Sequence, residues 1–196
     1  MKPSSLLRVL ALGAASLAAQ PAAAEPITYR ISGVGSGQLG SLAFRDASFS
    51  VTGLADTDAL APIGGGVWVN PLQSLQVAVS GFGAAQGLHA SDFFVNGGSA
   101  GVGFLDELLG DILDVLGAGL VGYDGAHVLG PLPVDLDYLA PFETTAGEFL
   151  LDRGSNLTFT AQLGPLTVPA PSSSWLAFGA LLALAWVRQR EHTAGP

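Results

Sequence analysis

The sequence predicts a mainly β protein: an antiparallel β-sandwich or flattened barrel with one amphipathic helix, set between an N-terminal signal peptide and a C-terminal hydrophobic helix. Three observations predict it. Four short segments alternate apolar and polar residues with period two. Glycine is abundant, 27 of 196 residues, and gathers between such segments, where turns are required. Only one internal stretch, between Gly103 and Gly117, carries a helical period instead.

The elements follow in chain order. Lys2 and Arg8 form a short positive region, Val9 to Ala19 is apolar apart from Ser16, and Gln20-Pro21 breaks the run. Ala22 and Ala24 are the small residues that a signal peptidase reads, which places the mature start at Glu25. The apolar run is shorter than the ~20 residues of a stable membrane span. Residues 1–24 are therefore expected to be a cleaved signal peptide, and 25–167 a secreted β-rich domain.

Within that domain Ile27, Tyr29 and Ile31 alternate with Thr28, Arg30 and Ser32. Phe49 and Val51, then Leu75, Val77 and Val79, then Leu157, Phe159, Ala161 and Leu163 repeat the pattern. Each run predicts a strand half-buried on one face. Gly33-Val-Gly35-Ser-Gly37 and Gly64-Gly65-Gly66 are read as connecting loops. From Phe104 to Leu116, Asp106, Glu107, Asp111 and Asp114 fall on one arc at 100° per residue. Phe104, Leu105, Leu108, Leu109, Ile112, Leu113, Val115 and Leu116 fill the other. This predicts the amphipathic helix, packed across one end of the sheets.

Val168-Pro169-Ala170-Pro171 is a stiff extended stretch, since each proline fixes φ and biases its predecessor away from helix. Trp175 to Val187 is uninterrupted apolar sequence, bracketed by Trp175 and Trp186 and stopped by Arg188 and Arg190. Extended back to Ser172 it predicts a marginal membrane helix over about 172–187, with Arg188 and Arg190 as the membrane stop. A proline motif, a marginal span and a basic end form the logic of a cleaved sorting tail over 168–196, comparable to the layout of a lipid-anchor signal. A retained tail anchor is the alternative.

Val168-Pro169-Ala170-Pro171-Ser172-Ser173-Ser174, the span to Val187 and the pair Arg188/Arg190 resemble the PEP-CTERM sorting domain of Gram-negative bacteria. Members of that family usually carry Val-Pro-Glu-Pro, so Ala170 is a variant at the acidic position. The resemblance implies processing by the membrane protease exosortase, transient membrane anchoring, and final delivery to the cell surface or exterior. It also implies association with exopolysaccharide or biofilm material. Ile27-Thr28-Tyr29, Gly37-Gln38-Leu39-Gly40, Phe44 and Ala55-Asp56-Thr57 are similar to the opening strands of one group of PEP-CTERM proteins with a secreted β domain. Tyr123-Asp124 and Thr144-Thr145-Ala146-Gly147 are similar to later parts of that group. That likeness supplies no catalytic residues.

Charge and composition exclude several functions. Between Glu25 and Thr167 stand 15 acids and three bases (Arg30, Arg45 and Arg153), a charge near −12. Nucleic-acid binding needs clustered Lys and Arg, which this composition lacks. With no cysteine, disulfides, thiolate metal sites and cysteine nucleophiles are excluded. His89 and His127 are far apart and read as surface or turn residues, and His192 lies in the tail. No Gly-x-Ser-x-Gly elbow is present, although a Ser-His-acid triad can draw its partners from anywhere in the chain. Asp56-x-Asp58 and Asp135-x-Asp137 offer oxygen ligands to calcium, but neither matches an EF-hand, and a solvated acidic face is the default. Asn156-Leu157-Thr158 is formally a glycosylation sequon within a predicted strand.

The expected function is that of a non-enzymatic exported surface or extracellular-matrix protein, with no catalytic residue, cofactor or metal assigned. Its expected partners are signal peptidase and exosortase during processing, then exopolysaccharide, with membrane contact through the C-terminal helix before cleavage. A lectin-like carbohydrate-binding module is the first alternative and a secreted hydrolase the second. Exposed aromatic rings would favour the lectin, and Trp68 is the only Trp of the mature domain.

Overall fold

The protein is seen in a computed structural model that describes residues 25–164. The signal segment with Ala22 and Ala24, the motif Val168, Pro169, Ala170 and Pro171, the helix expected over 172–187, Arg188, Arg190 and His192 lie outside the described residues. The described chain is built from β1 (Pro26–Leu39), β2 (Leu42–Asp56), β3 (Ala61–Gly64), β4 (Val67–Val79), β5 (Gly83–Gln86) and β6 (Ser91–Asn96). It continues with β7 (Gly101–Asp106), β8 (Gly110–Leu116), β9 (Leu129–Pro133), β10 (Asp135–Leu139), β11 (Phe142–Thr144) and β12 (Gly147–Leu163).

Every strand ladder is antiparallel, and the path runs β10-β8-β7-β6-β4-β2-β1-β12-β11, with β3 and β5 on β4 and β9 on β12. Two strand systems form opposing layers and share β4. Val67 to Pro71 pair with β6, whereas Leu72 to Val79 pair with β2. Pro71 sits at the changeover, where a residue without an N–H costs least in ladder bonds. On the far side the chain steps through Val134 from β9, paired with β12, to β10, paired with β8. The result is a nearly closed, barrel-like β fold.

The four alternating segments lie within β1, β2, β4 and β12, and their apolar residues face one core. Ile27, Tyr29, Ile31, Phe49, Val51, Leu75, Val77, Val79, Leu157, Phe159 and Ala161 are buried, while Leu163 at the end of β12 is half exposed. Phe93 of β6 meets this layer from the other side. Its ring stacks on Tyr29 with centroids 3.6 Å apart and lies 5.8 Å from Phe159. Such pairs add about 0.5–1.5 kcal/mol beyond area burial. A second aromatic group, Phe44, Phe82, Phe142 and Phe149, fills the end near the β1–β2 turn.

Two expectations are corrected. The stretch Phe104 to Leu116 is not a helix but the β7–β8 hairpin, and helical turns among the described residues are limited to the 3-10 turns Thr57–Ala59 and Ala118–Leu120. Gly110 at φ +88° supports the tight turn, and Asp106 Oδ1 accepts the backbone N–H groups of Leu108 and Leu109, closing it from the side. The wide apolar arc of the supposed helix resolves into inward residues, Phe104, Ile112, Leu113 and Val115, and an exposed tip, Leu108 and Leu109. The second correction concerns Gly33 to Gly37, which continue β1 rather than forming a loop. At Gly35 a Cβ would come within 2.6 Å of a Leu151 methyl and 2.7 Å of the Arg153 carbonyl oxygen. Glycine is there because β12 crosses too closely for a side chain.

Candidate functional site: an arginine-lined cleft

Where β1 runs between β2 and β12, both of its ladders slip near Ser36 and Gly37. Paired bulges bend the strand and open its outer face. Asp46 on β2 takes φ +47°, a conformation that short polar residues tolerate best, and its N–H donates to Ser36 Oγ at 3.0 Å. The bend leaves a cleft of about 590 Å³ lined by Ser36, Gln38, Arg45, Asp152 and Arg153, with Phe44 below.

Two of the domain's three arginines therefore meet at one place. Arg153 Nη2 donates to Asp46 Oδ1 at 3.1 Å and more weakly to Ser36 Oγ at 3.4 Å. Both partners are about two-thirds exposed, so the pair contributes little to stability but fixes the direction of one edge of the guanidinium. Arg45 is exposed and makes no ion pair or side-chain hydrogen bond among the described residues. Arg30, the third, has its Nε buried and lies on β1 away from this cleft.

Three other polar constellations stand elsewhere in the fold. His89 Nδ1 and Asp106 Oδ2 lie 2.7 Å apart, with the aspartate buried and the imidazole 28% exposed. Ser91 Oγ donates to the His89 carbonyl oxygen, not to its ring. No serine hydroxyl reaches either imidazole among the described residues, so nucleophile and base are not joined as a triad requires. His127 pairs with Asp124 at 2.9 Å on an exposed loop beside a smaller hollow of about 240 Å³. Partial burial pushes the Asp124 carboxyl up, yet the His127 hydrogen bond, the Ala126 N–H and the His127 charge together hold it below its ordinary value.

Behind that loop, Tyr29 Oη donates to the Gly125 carbonyl oxygen at 2.6 Å and accepts from Asn70 Nδ2 at 2.9 Å. Burial pushes the Tyr29 phenol up to about 12, with Asn70 opposing and the Asp124 charge assisting. The third constellation is Asp114 on β8, whose carboxyl is raised to about 7, first by desolvation and then by Asp111 and Asp137.

The residues singled out in the sequence are dispersed. Asp56 Oδ1 accepts from the Asp58 N–H and caps the 3-10 turn, and Asp135 and Asp137 are exposed on β10. Among the described residues no three His, Asp or Glu side chains assemble into a cation cage. Glu25 hydrogen-bonds Thr57 through its carbonyl oxygen at 3.0 Å. Trp68 is partly buried and packs against the core. Asn156 lies in β12 at φ +52° and is exposed. Sequence reasoning missed the Arg45–Arg153 cleft, because 108 positions separate the two residues and only the β1–β2 and β1–β12 registers bring them together. The available signal was the scarcity of bases: three in such an acidic domain invite the question of where each one stands. Comparison with known proteins finds no match, whether among family models, curated proteins or solved structures.

Proposed function

We propose that the chain is a non-enzymatic exported surface or extracellular-matrix protein. On this reading its β domain is released from signal peptidase at Glu25 and sorted through the PEP-CTERM-like tail. Exosortase acts at Val168-Pro169-Ala170-Pro171 while the segment to Val187 is held in the membrane by Arg188 and Arg190, and the product joins exopolysaccharide-rich material. What supports this reading is the fit of the strand-bearing segment to the two processing points. β1 begins at Pro26, directly after Glu25, and β12 ends at Leu163, just before the proline motif. Both cuts fall outside β1 and β12, which pair with each other from Ile27↔Leu163 to Leu39↔Phe149.

Mass spectrometry of protein recovered from the native envelope or medium tests this. The expected result is an N-terminus at Glu25 and a C-terminus near Pro171. Replacing Arg188 and Arg190 by Ala should leave unprocessed precursor, since each Arg costs ~2.5–3.5 kcal/mol at the bilayer centre and no longer arrests the span. Native protein retaining Pro196 overturns the sorting reading and leaves a simple anchor.

A further inference from the structure

We propose that the cleft between β1, β2 and β12 binds a carboxylated, hydroxyl-rich ligand, of the class of a hexuronate-containing oligosaccharide, through Arg45 and Arg153. The proposal deepens the polysaccharide association above and rests on that reading only for where such a ligand is met. The cleft's chemistry is argued independently of it.

Charge comes first. A domain near −12 repels anions over most of its surface, so an anion can dwell only where the few cations concentrate. Arg30 lies on β1 outside this cleft, whereas Arg45 and Arg153 line it together and offset the charges of Asp46 and Asp152 beside them. Arg153 is held through Nη2 by Asp46 and Ser36, which leaves its other nitrogens free to donate. The Arg45 guanidinium makes no ion pair or hydrogen bond among the described residues. A planar carboxylate matches the guanidinium fork, and a fork held in place beforehand loses less freedom when the ligand arrives.

The remaining lining narrows the class. Gln38 and Ser36 add neutral donors and acceptors, and Asp152 adds an acceptor that cannot bind an anion. Beside Asp152 and Asp46 a phosphate dianion brings two negative charges to one point, whereas each hexuronate residue brings one carboxylate spread among several hydroxyl donors. Asp152 can accept from those hydroxyls while the arginines hold the carboxylate. A volume of about 590 Å³ falls within the ordinary range of small-ligand sites.

The test is calorimetric titration of the full chain in mild detergent with oligogalacturonate, with cello-oligosaccharide and inorganic phosphate as comparison ligands. Oligogalacturonate should bind, weaken as salt rises, and lose at least tenfold in affinity in Arg45→Ala and in Arg153→Ala. Arg45→Lys should recover only part of the loss, because an ammonium lacks the fork. Thermal midpoints of these variants should stay close to wild type, since both side chains are exposed. Equal binding of cello-oligosaccharide overturns the carboxylate, and equal binding of phosphate overturns the sugar. Absence of oligogalacturonate binding, or binding indifferent to both arginines, overturns the site. If the native C-terminus is near Pro171 in any of those cases, the sorting reading stands without the cleft.

Discussion

Asp114 on β8 has one carboxyl oxygen, Oδ1, buried with no hydrogen-bond partner among the described residues. Its ladder partner Gly103 has no side chain in the way, and a Cβ there would meet that oxygen and the Phe94 ring. The carboxyl thus lies down on the sheet and loses water. Desolvation, followed by repulsion from Asp111 and Asp137, raises it to about 7. The folded state therefore holds a proton that the unfolded chain gives up near pH 4. Stability from this group is present below that point and is lost as pH rises toward 7. Asp114→Asn removes the dependence. Allowing for solvent screening of a half-buried group, the variant should be more stable than wild type at pH 8 by about 1 kcal/mol and equal to it near pH 4. Urea unfolding at the two values checks this, and a variant destabilised at pH 8 contradicts it. In the sequence Asp114 counted as one more acid on a polar arc. Its burial depends on Gly103 across the ladder, which no local pattern records.

The β7–β8 hairpin shows where local pattern and tertiary structure part. Acids and leucines from Phe104 to Leu116 satisfy a helical period, but Gly103, Gly110 and Gly117 punctuate the run at hairpin spacing. Helix propensity is a weak prior, and here pairing with β6 and β10 on the two sides outweighs it. Asp106 is the pin of the element. Oδ1 takes two tip N–H groups and Oδ2 meets His89, so the tip is tied to the strand entering β6. Asp106→Ala removes two tip hydrogen bonds and the His89 contact of a buried carboxylate and should cost about 1–2 kcal/mol in chemical denaturation. Leu108→Ser and Leu109→Ser change side chains that are 76% and 55% exposed and should stay within about 0.5 kcal/mol of wild type. Loss from the tip leucines equal to that from Asp106 would show that the tip is buried against something. The short alternating runs were legible because each strand has one buried face. Gly35 was not, since a close crossing by β12 resembles a loop in sequence.

Over the whole molecule, alternation tells which residues face inward but not which strand lies beside which. β1 pairs with β12 from the far end of the described chain, and β4 serves both layers. These partners are chosen by closing the ladder around Phe93, Tyr29 and Phe159, a global condition that no segment carries alone. What composition does carry is the charge, and that governs the response to ions. Fifteen acids against three bases repel one another over the surface, and ions within a Debye length of ~8 Å at 0.15 M screen them. Among the described residues no cage of acids selects a cation, so screening should be the whole effect. The thermal midpoint should rise by a few degrees between 10 and 150 mM sodium chloride, and millimolar calcium and magnesium should raise it equally. Circular dichroism melts measure both. A large rise with calcium that magnesium does not reproduce contradicts pure screening. Asp56→Asn and Asp58→Asn would then show whether their Asp-x-Asp turn gathers ligands only when the ion is bound.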